Sequence, residues 1–160
     1  MDFKAAAAAV KWASVPEHSS AVADRFGFGK GFSIGIATAG IGPMMWGMSL
    51  EMLFKACLVA DGKKPPQNHD LDQLAGLAGI AFDEKDTKLL KLLSHYIYWV
   101  GRYPVPNQEA RMDEAASLSW EATMEPVPGA SFKRYNGAFS WENMERIWGK
   151  VGEVLDAKGF

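Results

Sequence analysis

The stretch that decides the fold is WGMSLEMLFKACLVADGKKPPQNHDL, residues 46–71. Its apolar side chains fall at Trp46, Leu50, Leu53, Phe54, Cys57 and Leu58, the spacing of one face of an α-helix. Glu51 and Lys55 lie one turn apart at the margin of that face, with the acid N-terminal to the base, the favourable order for a pair. Gly62 stops the helix, Pro65 and Pro66 prevent its restart, and residues 68–70 offer cap chemistry for the next one.

The rest of the chain continues the helical pattern. Residues 2–14 carry a run of five alanines, the best helix formers, with Val10 and Trp12 expected to dock that helix. Pro16 interrupts, and residues 17–26 form a second helical piece. Residues 44–61 hold the central helix, and residues 70–78 a short one with Leu71, Leu74, Ala75 and Ala78 inward and Gly79 just past its end. Asp83 caps a long helix expected to run through Arg102, its stripe being Leu89, Leu93, Tyr96, Ile97 and Val100. Pro104 and Pro106 end it. Residues 109–123 are helical, with Met112, Ala115, Ala116 and Leu118 available for packing. Residues 126–138 read as a loop with turn signals at Pro128-Gly129 and Asn136-Gly137. Ser140 caps a last helix with the stripe Trp141, Met144, Ile147, Trp148, Val151 and Leu155. No segment alternates with period two. The expectation is an all-α, antiparallel bundle of five or six helices in one domain, with Trp46, Leu50, Leu53, Phe54, Leu93, Tyr96, Ile97, Trp148 and Val151 in its core.

Composition limits the function classes. A chain of 160 residues with 48% hydrophobic residues and six Trp is globular in type. A net charge of -2 gives no global attraction to nucleic acid or anionic membrane, so any such contact needs a local patch. One Cys forms no internal disulfide and no secretory signal is evident, so a reducing cytoplasm is expected. Cys57 sits among apolar neighbours and reads as a core residue, not a nucleophile. Residues 31–50 carry no charge, but Gly31, Gly35, Gly40, Gly42, Gly47 and Pro43 favour a buried hairpin or an interface over a membrane span. The glycines of residues 26–42 do not form a phosphate loop: Gly31 follows Lys30 where Ser or Thr is required, and Phe32 occupies the third place of G-x-G-x-x-G. No His, Cys and acid spacing fits zinc, and no cofactor is implied.

Four features taken in order, S-L-E-M-L-F-K-A-C-L at residues 49–58, G-x-x-P-P at 62–66, H-D-L at 69–71 and R-Y-P at 102–104, resemble the HEPN domain family. The match covers roughly residues 43–104, and the last helix fits the family's closing helix. The resemblance implies a helical bundle, usually a homodimer, in a family tied to nucleotide and RNA binding. Many members are ribonucleases of toxin–antitoxin or defence systems, and others partner nucleotidyltransferases. The ribonuclease members carry Arg, four to six residues, then His. No arginine of this chain has a His at that distance, and His95 and Arg102 occur in the opposite order. The implied protein therefore binds nucleotide or RNA without the family's usual metal-independent cleavage, with an antitoxin or a nucleotidyltransferase as the type of partner. The alternative is a non-catalytic dimeric interaction module that regulates a partner protein.

The candidate site residues each have a plainer reading. Glu51 and Lys55 bind a ligand or brace the bundle, and the brace is favoured. His69 acts as acid or base, or caps the short helix together with Asp70. Arg102, beside Tyr103, clamps a phosphate or closes its own helix end. Lys88, Lys91, His95 and Arg102 fall on one ridge flanked by Tyr98 and Trp99, which is either solvated surface or a phosphate track with stacking faces. His18 has no partner suggested by spacing. Met44, Met45, Met48 and Met52 read as core or dimer filler. The site is expected where His69 and Arg102 approach the central helix.

Overall fold

The computed structural model describes residues 2–29, 31–100 and 109–159, with the side chains of residues 99, 100 and 109–111 outside that description. Arg102, Tyr103 and the stacking face assigned to Trp99 therefore lie outside the described residues. The protein is an all-α bundle in which eight α-helices are described: α1 (Phe3–Ala13), α2 (Pro16–Phe26), α3 (Ile34–Ala37), α4 (Ile41–Ala60), α5 (Leu71–Leu77), α6 (Glu84–His95), α7 (Glu109–Thr123) and α8 (Trp141–Asp156). The count exceeds five or six because Pro16 starts a separate helix and a four-residue helix forms inside the glycine-rich segment.

Helix α4 is the axis of the bundle, touching α1, α5, α6 and α8. Its expected stripe is buried at Trp46, Leu50, Phe54, Cys57 and Leu58. Full burial of each large apolar side chain contributes about 1.5–3 kcal/mol. Both α4 and α5 end as their glycines suggest. Gly62 and Gly79 take φ of 70° and 73°, and the next residue's N–H reaches back to Leu58 and Ala75 respectively. Gly47 has a different task. A Cβ there would lie 2.9 Å from Ile97 Cγ1, so only glycine lets α4 and the end of α6 cross this closely.

Helix α8 closes the core with Met144, Ile147 and Val151. Trp148 is half-buried and donates its indole N–H to Ser49 Oγ at 2.8 Å. Arg146 ties α8 to α6 by donating to both oxygens of the buried Asp86 carboxylate, at 2.9 and 2.6 Å. Asp83 and Ser140 cap α6 and α8 as expected.

Several expectations change. Helix α1 docks through buried Ala7, whose methyl group lets the helix lie close on α4, with Val10 half-buried beside it and Trp12 outside the contact. Trp12 is exposed and stacks on His18, whose Nδ1 meets the Trp12 carbonyl oxygen at 2.8 Å. The long helix does not run unbroken to Arg102: α6 stops at His95 and a π-turn follows over Tyr96–Val100. Leu53 and Tyr96 are half-buried, and Met52 and Met112 are exposed. Residues 31–50 form no buried hairpin; they build α3 and the first half of α4, and Ile36 is exposed. Residues 126–138 are more ordered than a loop. Strands β1 (Met124–Pro126) and β2 (Lys133–Tyr135) pair antiparallel, Glu125 opposite Arg134. Among the described residues no helix is long and apolar enough to cross a membrane.

Candidate functional site

The start of α5 and the end of α6 converge on the middle of α4. Asp70 occupies the N-cap position of α5 but makes no side-chain cap bond. The first N–H of the helix, on buried Leu71, instead donates to Ser94 Oγ at 2.9 Å, and that hydroxyl donates to the Leu90 carbonyl at 3.0 Å. Asp70 is thereby free to accept from the Tyr98 hydroxyl at 3.4 Å. The same phenol oxygen accepts the backbone N–H of His69 at 3.3 Å.

His69 is not a cap. Its Nδ1 lies 2.8 Å from Glu51 Oε2, and its ring stands edge-on to Tyr98 with centroids 5.2 Å apart. The second oxygen of Glu51 accepts from Lys55 Nζ at 2.6 Å. Glu51 is only 7% exposed, so its carboxylate needs both donors. The Glu51–Lys55 brace is therefore present, and it extends through His69 and Tyr98 to Asp70. A carboxylate accepts and does not donate, so Nδ1 carries a hydrogen in this arrangement.

Beside this chain of contacts lies a cleft of about 550 Å³ lined by Asp70, Asp72, Lys91, His95, Tyr98 and Glu114, among others. Four of the candidate residues, Asp70, Lys91, His95 and Tyr98, thus share one space, with Glu51, Lys55 and His69 behind Tyr98. Lys88 is elsewhere. It lies 2.9 Å from Glu84 and 3.4 Å from Glu121, and the hydrogen bond to Glu84 raises its pKa above the ordinary lysine value. The expected basic ridge is broken at that point. Lys91 faces Asp72 at 3.9 Å, and three carboxylates against one lysine make the described wall acidic.

Chemically, such a wall accepts hydrogen bonds from a polar ligand, while the partly exposed ring of Tyr98 offers a flat surface. Among the described residues no group of three or more His, Cys, Asp or Glu side chains is placed to hold a metal ion. Sequence reading missed Ser94, Asp72 and Glu114. Ser94 interrupts an apolar stripe and is a signal in hindsight; Glu114 reaches the cleft only through the α6–α7 contact. Comparison of the chain with protein-family models, curated proteins and solved structures finds no match.

Proposed function

We propose that the protein is a HEPN-like nucleotide-binding domain that does not cleave RNA by the route of the family's ribonucleases. The observation that carries this reading is the cleft in which Tyr98, Lys91 and His95 sit together with Asp70, Asp72 and Glu114. A base stacks on Tyr98, carboxylates accept from amino and hydroxyl groups of base and sugar, and Lys91 meets a single phosphate. The acidic wall favours a mononucleotide over a long RNA strand, whose every added phosphate would meet carboxylates. The ordered motifs of residues 49–104 support the family, and the missing Arg-to-His spacing supports the lack of cleavage. A toxin–antitoxin or defence setting, with an antitoxin or a nucleotidyltransferase as partner, belongs to the same reading.

The test is equilibrium binding of AMP and GMP against a single-stranded RNA at several salt concentrations. A mononucleotide has no condensed counterion atmosphere to release, so its binding falls only shallowly with salt; RNA on a real ridge gives a log–log slope of about -2 to -3. Tyr98→Ala is expected to weaken nucleotide binding about tenfold or more, since base stacking is worth about 1–3 kcal/mol. Absence of binding at millimolar nucleotide refutes the reading. Metal-free RNA cleavage abolished by His95→Ala would replace it with a nuclease.

A second reading, a non-catalytic homodimeric interaction module, is favoured by the charge-free residues 31–50 and by exposed Phe26, Phe28 and Ile36 beside or within them. A monomer mass at tens of micromolar would count against it.

A further inference from the structure

A second cavity lies on the other side of the bundle, between α1, α3, the first turns of α4 and the start of α8. We propose that it is a binding site for a small planar aromatic carboxylate. Its volume is about 150 Å³. That is the scale of an apolar cavity that accepts benzene. Two of its walls are the indoles of Trp46 and Trp141, with centroids 4.9 Å apart and planes inclined at 58°. The two indoles pack against each other and give that part of the wall an aromatic lining.

The polar groups on the wall specify the rest of the ligand. Among the described residues Lys11 is the one charged residue lining the cavity, and it makes no salt bridge to a described carboxylate. A single exposed cation without a competitor matches a monoanion. The hydroxyls of Ser14 and Thr38 donate to the Val10 and Ile34 carbonyls at 2.6 and 2.7 Å. Both are thus spent as donors, lie 3.5 Å from each other, and keep only acceptor capacity for a ring hydroxyl or N–H. The acidic cleft beside Tyr98 has the opposite character, so the two sites select different molecules.

Gly42 supplies the decisive variant. It lines the cavity, it is the second residue of α4, and a Cβ there would meet no heavy atom within 4 Å. Gly42→Leu adds bulk at the cavity wall; its one steric cost is a β-carbon on the helical residue that precedes Pro43, so its fold is checked by the melt. The experiment is a ¹⁹F NMR titration of the full chain with 4-fluorobenzoate, with fluorobenzene as the neutral counterpart and thermal melts of every variant. The expected dissociation constant of 4-fluorobenzoate is about 0.1–1 mM, within the range a ligand of this size reaches. Lys11→Gln is expected to weaken it by roughly three- to fivefold, the effect of an exposed ion pair, and to leave fluorobenzene unchanged. Gly42→Leu is expected to weaken both probes at least tenfold while still unfolding in one cooperative melt, and Tyr98→Ala to change neither. Binding unchanged in Gly42→Leu, equal binding of the two probes, insensitivity to Lys11→Gln, or no binding up to several millimolar each overturns the proposal. Lys11 is exposed, so its variant decides the matter even if Gly42→Leu failed to fold.

Discussion

Ser94→Ala tests how the nucleotide cleft is held together. Ser94 is 5% exposed and Leu71 is fully buried, so the Leu71 N–H has no access to water when its acceptor is removed. An orphaned buried donor costs about 1–3 kcal/mol. The Leu90 carbonyl loses only its second donor, because it remains inside the α6 ladder. Alanine is a better helix former than serine, which returns about half a kcal/mol. The expected net loss is about 1–2 kcal/mol, or a fall in melting temperature of about 3–6 °C for a chain of this length. Urea unfolding with an unchanged m-value measures the first quantity. Amide exchange at Leu71 locates it, since this N–H should exchange faster while those in the middle of α6 do not. Nucleotide binding should weaken as well, because the start of α5 carries Asp70 and Asp72. A variant within about 0.3 kcal/mol of wild type, with the Leu71 amide still protected, would refute the claim that Ser94 caps α5.

Arg146→Ala leaves the Asp86 carboxylate, 3% exposed, without its two guanidinium donors. Removing one partner of a fully buried pair costs about 3–5 kcal/mol. Arg146 is half-exposed, so about 2 kcal/mol is expected in urea, with Arg146→Lys restoring only part of it. Cys57 is fully buried, and desolvation pushes its thiol pKa upward. Its folded value exceeds the unfolded one, so this contribution to stability is complete below about pH 8.5 and is lost as pH rises through the folded value. A thiol reagent at pH 8 should label the protein only at the rate of unfolding. At the other extreme, the hydrogen bond from Lys158 holds the Asp61 carboxyl below the usual aspartate range. That contribution is present above about pH 3.9 and is lost as pH falls through the folded value, so Lys158→Ala should flatten the acid limb of a stability–pH curve.

The parts of the fold that were legible in the sequence rest on repeated local signals. The stripes of α4, α6 and α8, the caps Asp83 and Ser140, and the stops at Gly62 and Gly79 each need only neighbouring residues. The Glu51–Lys55 pair was visible for the same reason, as an i,i+4 spacing. The failures concern partners distant in sequence or elements too short to repeat. Strands of three residues cannot display a period of two, so the hairpin read as a loop. Val10 and Trp12 are the large apolar residues that the sequence offers for docking α1, yet Trp12 is exposed and Ala7 fills the contact with α4, because close helix approach favours a small residue. The sequence leaves His69 between an acid or base and a cap shared with Asp70; its partner, Glu51, is 18 residues upstream, beyond what local spacing shows. The cap itself came from Ser94, 23 residues downstream of the N–H that it satisfies.

The glycines of α4 separate what the fold needs from what a ligand would use. A helix-interior glycine costs about 0.5–1 kcal/mol relative to alanine. At Gly47 the return is structural, since a Cβ would collide with Ile97 and push α4 off α6. Gly42 has no such return from the core, because beyond its chain neighbours nothing lies within 4 Å of the missing Cβ; its local return is to ease the helical backbone ahead of Pro43. Gly76 and Gly149 share that vacancy, so vacancy alone says little. Gly42 differs in facing the cavity closed by Trp46 and Trp141, where a side chain would occupy the space a ligand needs. Gly47→Ala and Gly42→Ala should therefore diverge. The first should lose about 1–2 kcal/mol of stability, as overpacking outweighs the gain in helix propensity. The second should change stability little, because the gain in helix propensity is offset by a β-carbon ahead of Pro43, while affinity for the aromatic acid falls. Equal effects of the two substitutions on stability would show that both glycines serve only the packed core, and the cavity would lose its best support as a site.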